Sequence, residues 1–289
     1  MSEKVEPLMR TRIRRGLIRG SIFLVLAYGV IVLMLMLLEN MLVFRPSSAK
    51  QFWADPPEGI VCEEMYLKTT DGTKIHARWF PKQGASGTVL LFHGNGGNLS
   101  HRRQIIVELQ NTFDSSVLIF DYPGYGKSSG SPSEAGCYAS AEAAYHWLTV
   151  EKKDPESSEK VIFWGMSLGG GVAVEMASRH PYRALCLNRT YTSLPDVGQG
   201  QYPWVPVKWL MRNRFDNLAK LPSLQGPIIF SHGKKDTLIP FHHAESLFAA
   251  AQDPKISIWD ADGDHHTPLP PEYFREAKAF LEKIETRSE

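Results

Sequence analysis

The chain has 289 residues, 43% of them hydrophobic and 22% charged, with a formal net charge of +1. This composition excludes a disordered or collagen-like chain and leaves a globular protein with a sizeable core; the near-neutral balance gives no electrostatic reason to bind nucleic acid. Cys62, Cys137 and Cys186 lie far apart with no paired spacing, which argues against a disulfide framework or a zinc site, and no motif asks for a metal or a cofactor.

Residues 1–20 form a basic tail carrying Lys4, Arg10, Arg12, Arg14, Arg15 and Arg19. The stretch IFLVLAYGVIVLMLMLL, residues 22–38, follows without a charge. As a helix rising 1.5 Å per residue it covers about 26 Å, just short of the hydrocarbon core of a bilayer. A helix of a soluble domain would carry a polar face, and this one has none. A cleaved signal peptide has a shorter apolar region that ends near small residues, whereas residues 39–46 are mostly bulky. Residues 21–44 are therefore predicted to be a transmembrane anchor, with tilt and the snorkelling of Arg19 covering the remaining length. Only Arg45 and Lys50 closely follow the span. The positive-inside rule then predicts a cytosolic N-terminus and a domain on the non-cytosolic side, whether periplasmic, lumenal or extracellular.

Residues 45–60, rich in Pro and Ser, read as a linker, and residues 61–289 as one α/β domain. Two alternating runs around Asp71-Gly72 predict a hairpin. The apolar runs at 88–94, 116–122, 161–167, 184–190, 227–233 and 256–262 predict strands buried on both faces. Helical stretches separate most of them; one is expected to start at Ser131-Pro132-Ser133-Glu134, which has the form of a capping box. Alternating strands and helices predict a mostly parallel sheet covered on both faces. Residues 195–222 are long enough for a small cap and too short for a lid domain. The cap's aromatic residues fit an acyl pocket or the cap's own core equally well.

Gly165-Met166-Ser167-Leu168-Gly169 has the G-x-S-x-G form of a nucleophile elbow and sits between a predicted strand and a predicted helix. Side chains at Gly165 or Gly169 would collide with the neighbouring helix and strand. A serine hydroxyl needs a base, and the base needs an orienting group. Asp236 follows the strand that ends near residue 233, and His265 and His266 follow the last strand, so both partners fall at the same sheet edge as Ser167. His93, His232, His242 and His243 are candidates by type only, and the first two read as loop-shaping. For a developing oxyanion, the backbone N–H of Leu168 and a donor at Asn95, in the loop HGNGGN, are the expected partners. The sequons at Asn98 and Asn188 lie beside this loop and at a strand end, and read as coincidental.

The segments LLFHGNGGNLSHR, FDYPGYGKSSGSPSE, GMSLGGGVA, HGKKDTLIP and DGDHHT resemble the single-pass membrane serine hydrolases typified by alpha/beta hydrolase domain-containing protein thirteen. The resemblance runs from about residue 60 to the end. It implies the α/β-hydrolase fold, with Ser167, Asp236 and His265 as the triad and Asn95 lining the oxyanion hole. Where the family often has His-Asn-Asp, this chain has His265-His266-Thr267. The related branch that removes palmitate from proteins carries an N-terminal cysteine cluster, and here no cysteine precedes Cys62. Two function classes follow: a serine hydrolase acting on esters or thioesters of a small-molecule, lipid or acylated substrate, and a membrane-anchored scaffold that keeps the fold and works by binding. A complete triad favours the hydrolase.

Overall fold

The computed structural model describes residues 5–152 and 161–288; Lys4, one of the basic residues that set the predicted orientation, lies outside them. The chain opens with α1 (Val5–Leu37), α2 (Glu39–Val43) and the short β1 (Arg45–Pro46). Next come β2 (Glu63–Lys68), β3 (Lys74–Phe80), β4 (Gly87–Phe92), β5 (Gly96–Gly97), α3 (Arg103–Phe113), β6 (Ser115–Phe120) and α4 (Glu134–His146). The second half runs β7 (Val161–Met166), α5 (Leu168–Arg179), β8 (Ala184–Asn188), α6 (Leu194–Gln201), α7 (Val207–Leu210), α8 (Asn217–Lys220), β9 (Ile228–Gly233), α9 (His242–Ala250), β10 (Lys255–Asp260) and α10 (Pro271–Ser288).

Eight strands form one sheet in the order β10-β9-β8-β7-β4-β6-β3-β2. The pairs from β10 to β6 are parallel, while β3 runs antiparallel to both β6 and β2. The β2–β3 hairpin turns at Gly72, whose φ of 87° suits glycine. Central strands are buried on both faces, and their alternation feeds two cores. Leu90 and Phe92 of β4 point to the layer of α4, α5 and α9, and Val89 and Leu91 to that of α3 and α10. The predicted strand runs at 88–94, 116–122 and 184–190 end two residues early, because their last residues already turn into the loops of the site.

One helix start differs from its sequence reading. Ser133, not Ser131, caps α4 by accepting the Gly136 N–H at 3.0 Å. Glu134 does not close a capping box; its carboxylate accepts the Tyr138 hydroxyl and the backbone N–H groups of Arg214 and Phe215. The cap region has claimed the acid that a local box would have used.

Among the described residues, Arg14–Leu37 is the one helical stretch long and apolar enough to cross a membrane. The helix breaks at Leu38, and the residues after it pack onto the domain. Phe44 is buried against Phe215, and Glu39 is 6% exposed. The linker is pinned as well. Arg45 and Pro46 pair with Gly96 and Gly97, and the Asn98 amide donates to Ser47 O and Phe52 O. Asn98 and Asn188 are fully buried, so neither sequon presents its amide to a glycosylating enzyme in the folded chain.

Candidate active site

The junction of β7 and α5 puts Ser167 in a backbone conformation few side chains adopt, φ 51° and ψ −118°. Two contacts hold it there: the Ser167 N–H donates to Asn188 O at 2.9 Å, and the Thr190 hydroxyl donates to Ser167 O at 3.0 Å. The flanking glycines have the steric cause expected of them. A Cβ at Gly165 would lie 2.6 Å from Gly169 O and 2.7 Å from Gly170 Cα, both in α5. At Gly169 it would overlap the carbonyl of Phe92 at the end of β4. The elbow is thus wedged between a strand and its own helix.

From β10 the chain turns through Gly263 into the loop that carries His265. Asp260 Oδ1 accepts the Gly263 N–H, and Asp264 Oδ1 accepts the N–H groups of His266 and Thr267 at 2.7 and 2.8 Å. Thr267 Oγ1 closes the same ring, accepting the Asp264 N–H and donating to Asp264 Oδ1. Beneath the loop, the buried Arg189 guanidinium donates to the carbonyls of His265 and Thr267.

The three sequence-predicted residues come together. His265 Nδ1 lies 2.8 Å from Asp236 Oδ2, and His265 Nε2 lies 3.0 Å from Ser167 Oγ. Asp236 Oδ1 accepts the N–H groups of Leu238 and Ile239 at 2.9 and 2.8 Å. Burial alone would raise the pKa of this carboxyl; hydrogen bonds from His232, His265 and Ile239 outweigh it and hold the pKa below the usual carboxylate range. An ionised carboxylate can only accept, so Nδ1 carries the proton and Nε2 is left to accept from the serine hydroxyl.

Among the described residues, His265 is the one histidine hydrogen-bonded to Ser167. His232 faces Ile239 O and Asp236, and His93 faces Gly94 O and Asp121, which agrees with a loop-shaping role for both. His243 bonds the Thr192 hydroxyl, and burial pushes its pKa down to about 4. His266 is exposed and lines the mouth of the same cavity without a hydrogen bond to Ser167 or Asp236.

Gly94 lies against Ser167, which brings the loop after β4 to the nucleophile. The side chain of Asn95 does not face an oxyanion. Its Oδ1 accepts from Arg45 N–H and the Tyr125 hydroxyl, and its Nδ2 donates to Val43 O, so it fastens the end of α2. Among the described residues no hydrogen bond takes up the backbone N–H of Asn95 or that of Leu168.

A cavity of about 560 Å³ opens above Ser167 and His265. Its walls include residues that sequence reasoning did not assign to the site: Val32, Leu35 and Met36 of α1 together with Val205, Leu210 and Met211 of the cap. Glu39 fastens the two walls together. Its carboxylate accepts the N–H groups of Arg212 and Asn213 at 3.0 and 2.7 Å and the Asn213 amide at 2.6 Å. The signal for this was a lone acid interrupting an apolar run.

Residues 87–216 match the alpha/beta hydrolase fold family. An uncharacterized protein of Mycobacterium tuberculosis is 36% identical over 208 residues, covering 71% of this chain and 73% of that protein. Alpha/beta hydrolase domain-containing protein 17B of Homo sapiens is 29% identical over 233 residues, covering 80% of this chain and 78% of that protein. Among solved structures, the Pyrococcus furiosus esterase Pf2001 superposes with a TM-score of 0.67 at 20% identity, over 83% of this chain and 98% of that one, a likeness of fold. The parallel sheet, the elbow at the end of β7 and the extent of these matches lead to one conclusion: the chain belongs to the alpha/beta hydrolase fold family.

Proposed function

We propose that the protein is a membrane-anchored serine hydrolase that cleaves carboxylic ester or thioester bonds through an acyl-enzyme. The fold family and its esterase neighbours support a hydrolase. The finer reading is carried by the unbroken hydrogen-bonded series Asp236–His265–Ser167. Ser167 Oγ attacks the acyl carbonyl carbon while His265 Nε2 takes its proton, and Asp236 holds the ring and stabilises the imidazolium. The N–H groups of Leu168 and Asn95 receive the oxyanion. His265 returns the proton to the leaving alcohol or thiol; the same ring then deprotonates a water molecule, whose attack releases the acid and frees Ser167.

The apolar stretch Arg14–Leu37 anchors the chain, and its basic flank sets the N-terminus in the cytosol and the catalytic domain on the other side. Within the family, we liken the chain to the single-pass branch typified by alpha/beta hydrolase domain-containing protein thirteen, on the motifs that carry that resemblance.

Ser167→Ala is expected to abolish both fluorophosphonate labelling and esterase turnover; undiminished labelling of the folded variant removes Ser167 as nucleophile. In sealed vesicles with the cytosolic face inside, external protease should digest residues 60–289. Protection there, with digestion in inverted vesicles, reverses the orientation.

A further inference from the structure

The anchor helix does more than tether the domain. Val32, Leu35, Met36 and Glu39 recur at the spacing that puts them on one helical face. All four line the cavity that holds Ser167 and His265, and all four are at least half-buried, while Leu33, Met34 and Leu37 point away and are exposed. One turn before Val32, on the same face, the Tyr28 hydroxyl donates to the backbone carbonyl of Trp204 at 2.9 Å, and the two rings meet edge to face. Tyr28 lies ten residues before Leu38, which is about 15 Å along the helix axis. A helix that crosses a bilayer therefore carries the tip of the cap down beside it into the hydrocarbon.

The surface of the cap fits that depth. Trp204 is 54% exposed and Trp209 90% exposed, both on the segment that flanks the anchor, where the edge of a bilayer would cover them. The carbonyl of Trp204, which lipid could not satisfy, already has the Tyr28 hydroxyl as its partner. The cavity wall from Val32 to Val43 extends about 16 Å, close to half the thickness of the hydrocarbon core, which is the reach of one long acyl chain.

We propose that the substrate is a long-chain acyl ester or thioester drawn laterally from the bilayer, its chain lying along the anchor helix, with Val32 and Leu35 setting the chain length accepted. This rests on the serine hydrolase reading above. A chain seated against these residues brings its carbonyl to Ser167 at the inner end of the cavity, while the polar leaving group faces the loops at the sheet edge.

The test uses the full chain reconstituted in phosphatidylcholine nanodiscs and compares turnover of a palmitoyl and a butyryl ester of the same chromophore. The readout is the ratio of the two rates, which global loss of folded protein leaves unchanged. Leu35→Trp and Val32→Phe should each lower the palmitoyl-to-butyryl ratio at least about tenfold, the scale on which a filled apolar pocket discriminates. Leu37→Trp, on the opposite face, should leave the ratio at its wild-type value. Wild-type ratios in both wall variants overturn the proposal, as does a wild-type enzyme that turns over the butyryl ester alone. An enzyme that cleaves neither ester and takes no fluorophosphonate instead refutes the hydrolase reading.

Discussion

The two walls of the cavity are made in opposite ways. At the sheet edge, Ser167 is fixed by residues within a few positions of it and by strand ends that the parallel sheet must bring together: Gly165 against Gly169, Gly169 against Phe92, Asp236 and His265 each after its own strand. On the side of α1 and α2, Glu39 meets Arg212 and Asn213 across 173 and 174 residues, held by hydrogen bonds to its carboxylate and an ion pair with Arg212. The first wall is rigid because its geometry is built into backbone. The second is a junction of two elements that the sheet does not hold in register. In the function proposed above, chemistry belongs to the first and selection to the second.

The largest effect should come from breaking the rigid side without touching the junction. His265→Ala is expected to lower turnover by about 10⁴-fold, the scale at which triad members act, with the fold intact by circular dichroism. Gly169→Ala tests the rigidity itself. Its methyl must displace either α5 or the end of β4, which should cost about 3 kcal/mol and lower Tm by about 10 °C. An unchanged Tm would show that the elbow yields, and the contrast between the walls would fail. The smallest effect is expected at His266, which is exposed on the same loop and makes no bond to the triad. His266→Ala should cost about tenfold or less in turnover, acting through loop shape. If it proves more damaging than His265→Ala while both variants fold, the base has been assigned to the wrong ring.

Legibility followed the same division. Ser167, Asp236 and His265 could be placed from sequence because strand ends are visible as the ends of apolar runs, and a parallel sheet puts those ends on one edge. Asn95 was chosen from sequence for the loop it sits in; the bonds its side chain makes to Val43 and Arg45 cross about fifty residues, and no local pattern encodes them. At Ser131–Glu134 the local pattern put the cap at Ser131, whereas Ser133 caps α4 and Glu134 is bound by Arg214 and Phe215, far along the chain. Glu39 reads locally as a flaw in an apolar span; only the docked cap reveals it as the buried clamp. Periodicity and glycine spacing describe what a segment does to itself. They do not describe where a single apolar face finds its partner.

The central claim is that Ser167 carries the acyl group between the two half-reactions. The most direct measurement is mass spectrometry of peptides from the full-length enzyme, acid-quenched during turnover of a chromogenic ester. The account predicts the acyl mass on the peptide containing Ser167, and no acylated peptide from Ser167→Ala. An acyl group on another residue, or turnover by a Ser167→Ala variant at the wild-type rate, would contradict it.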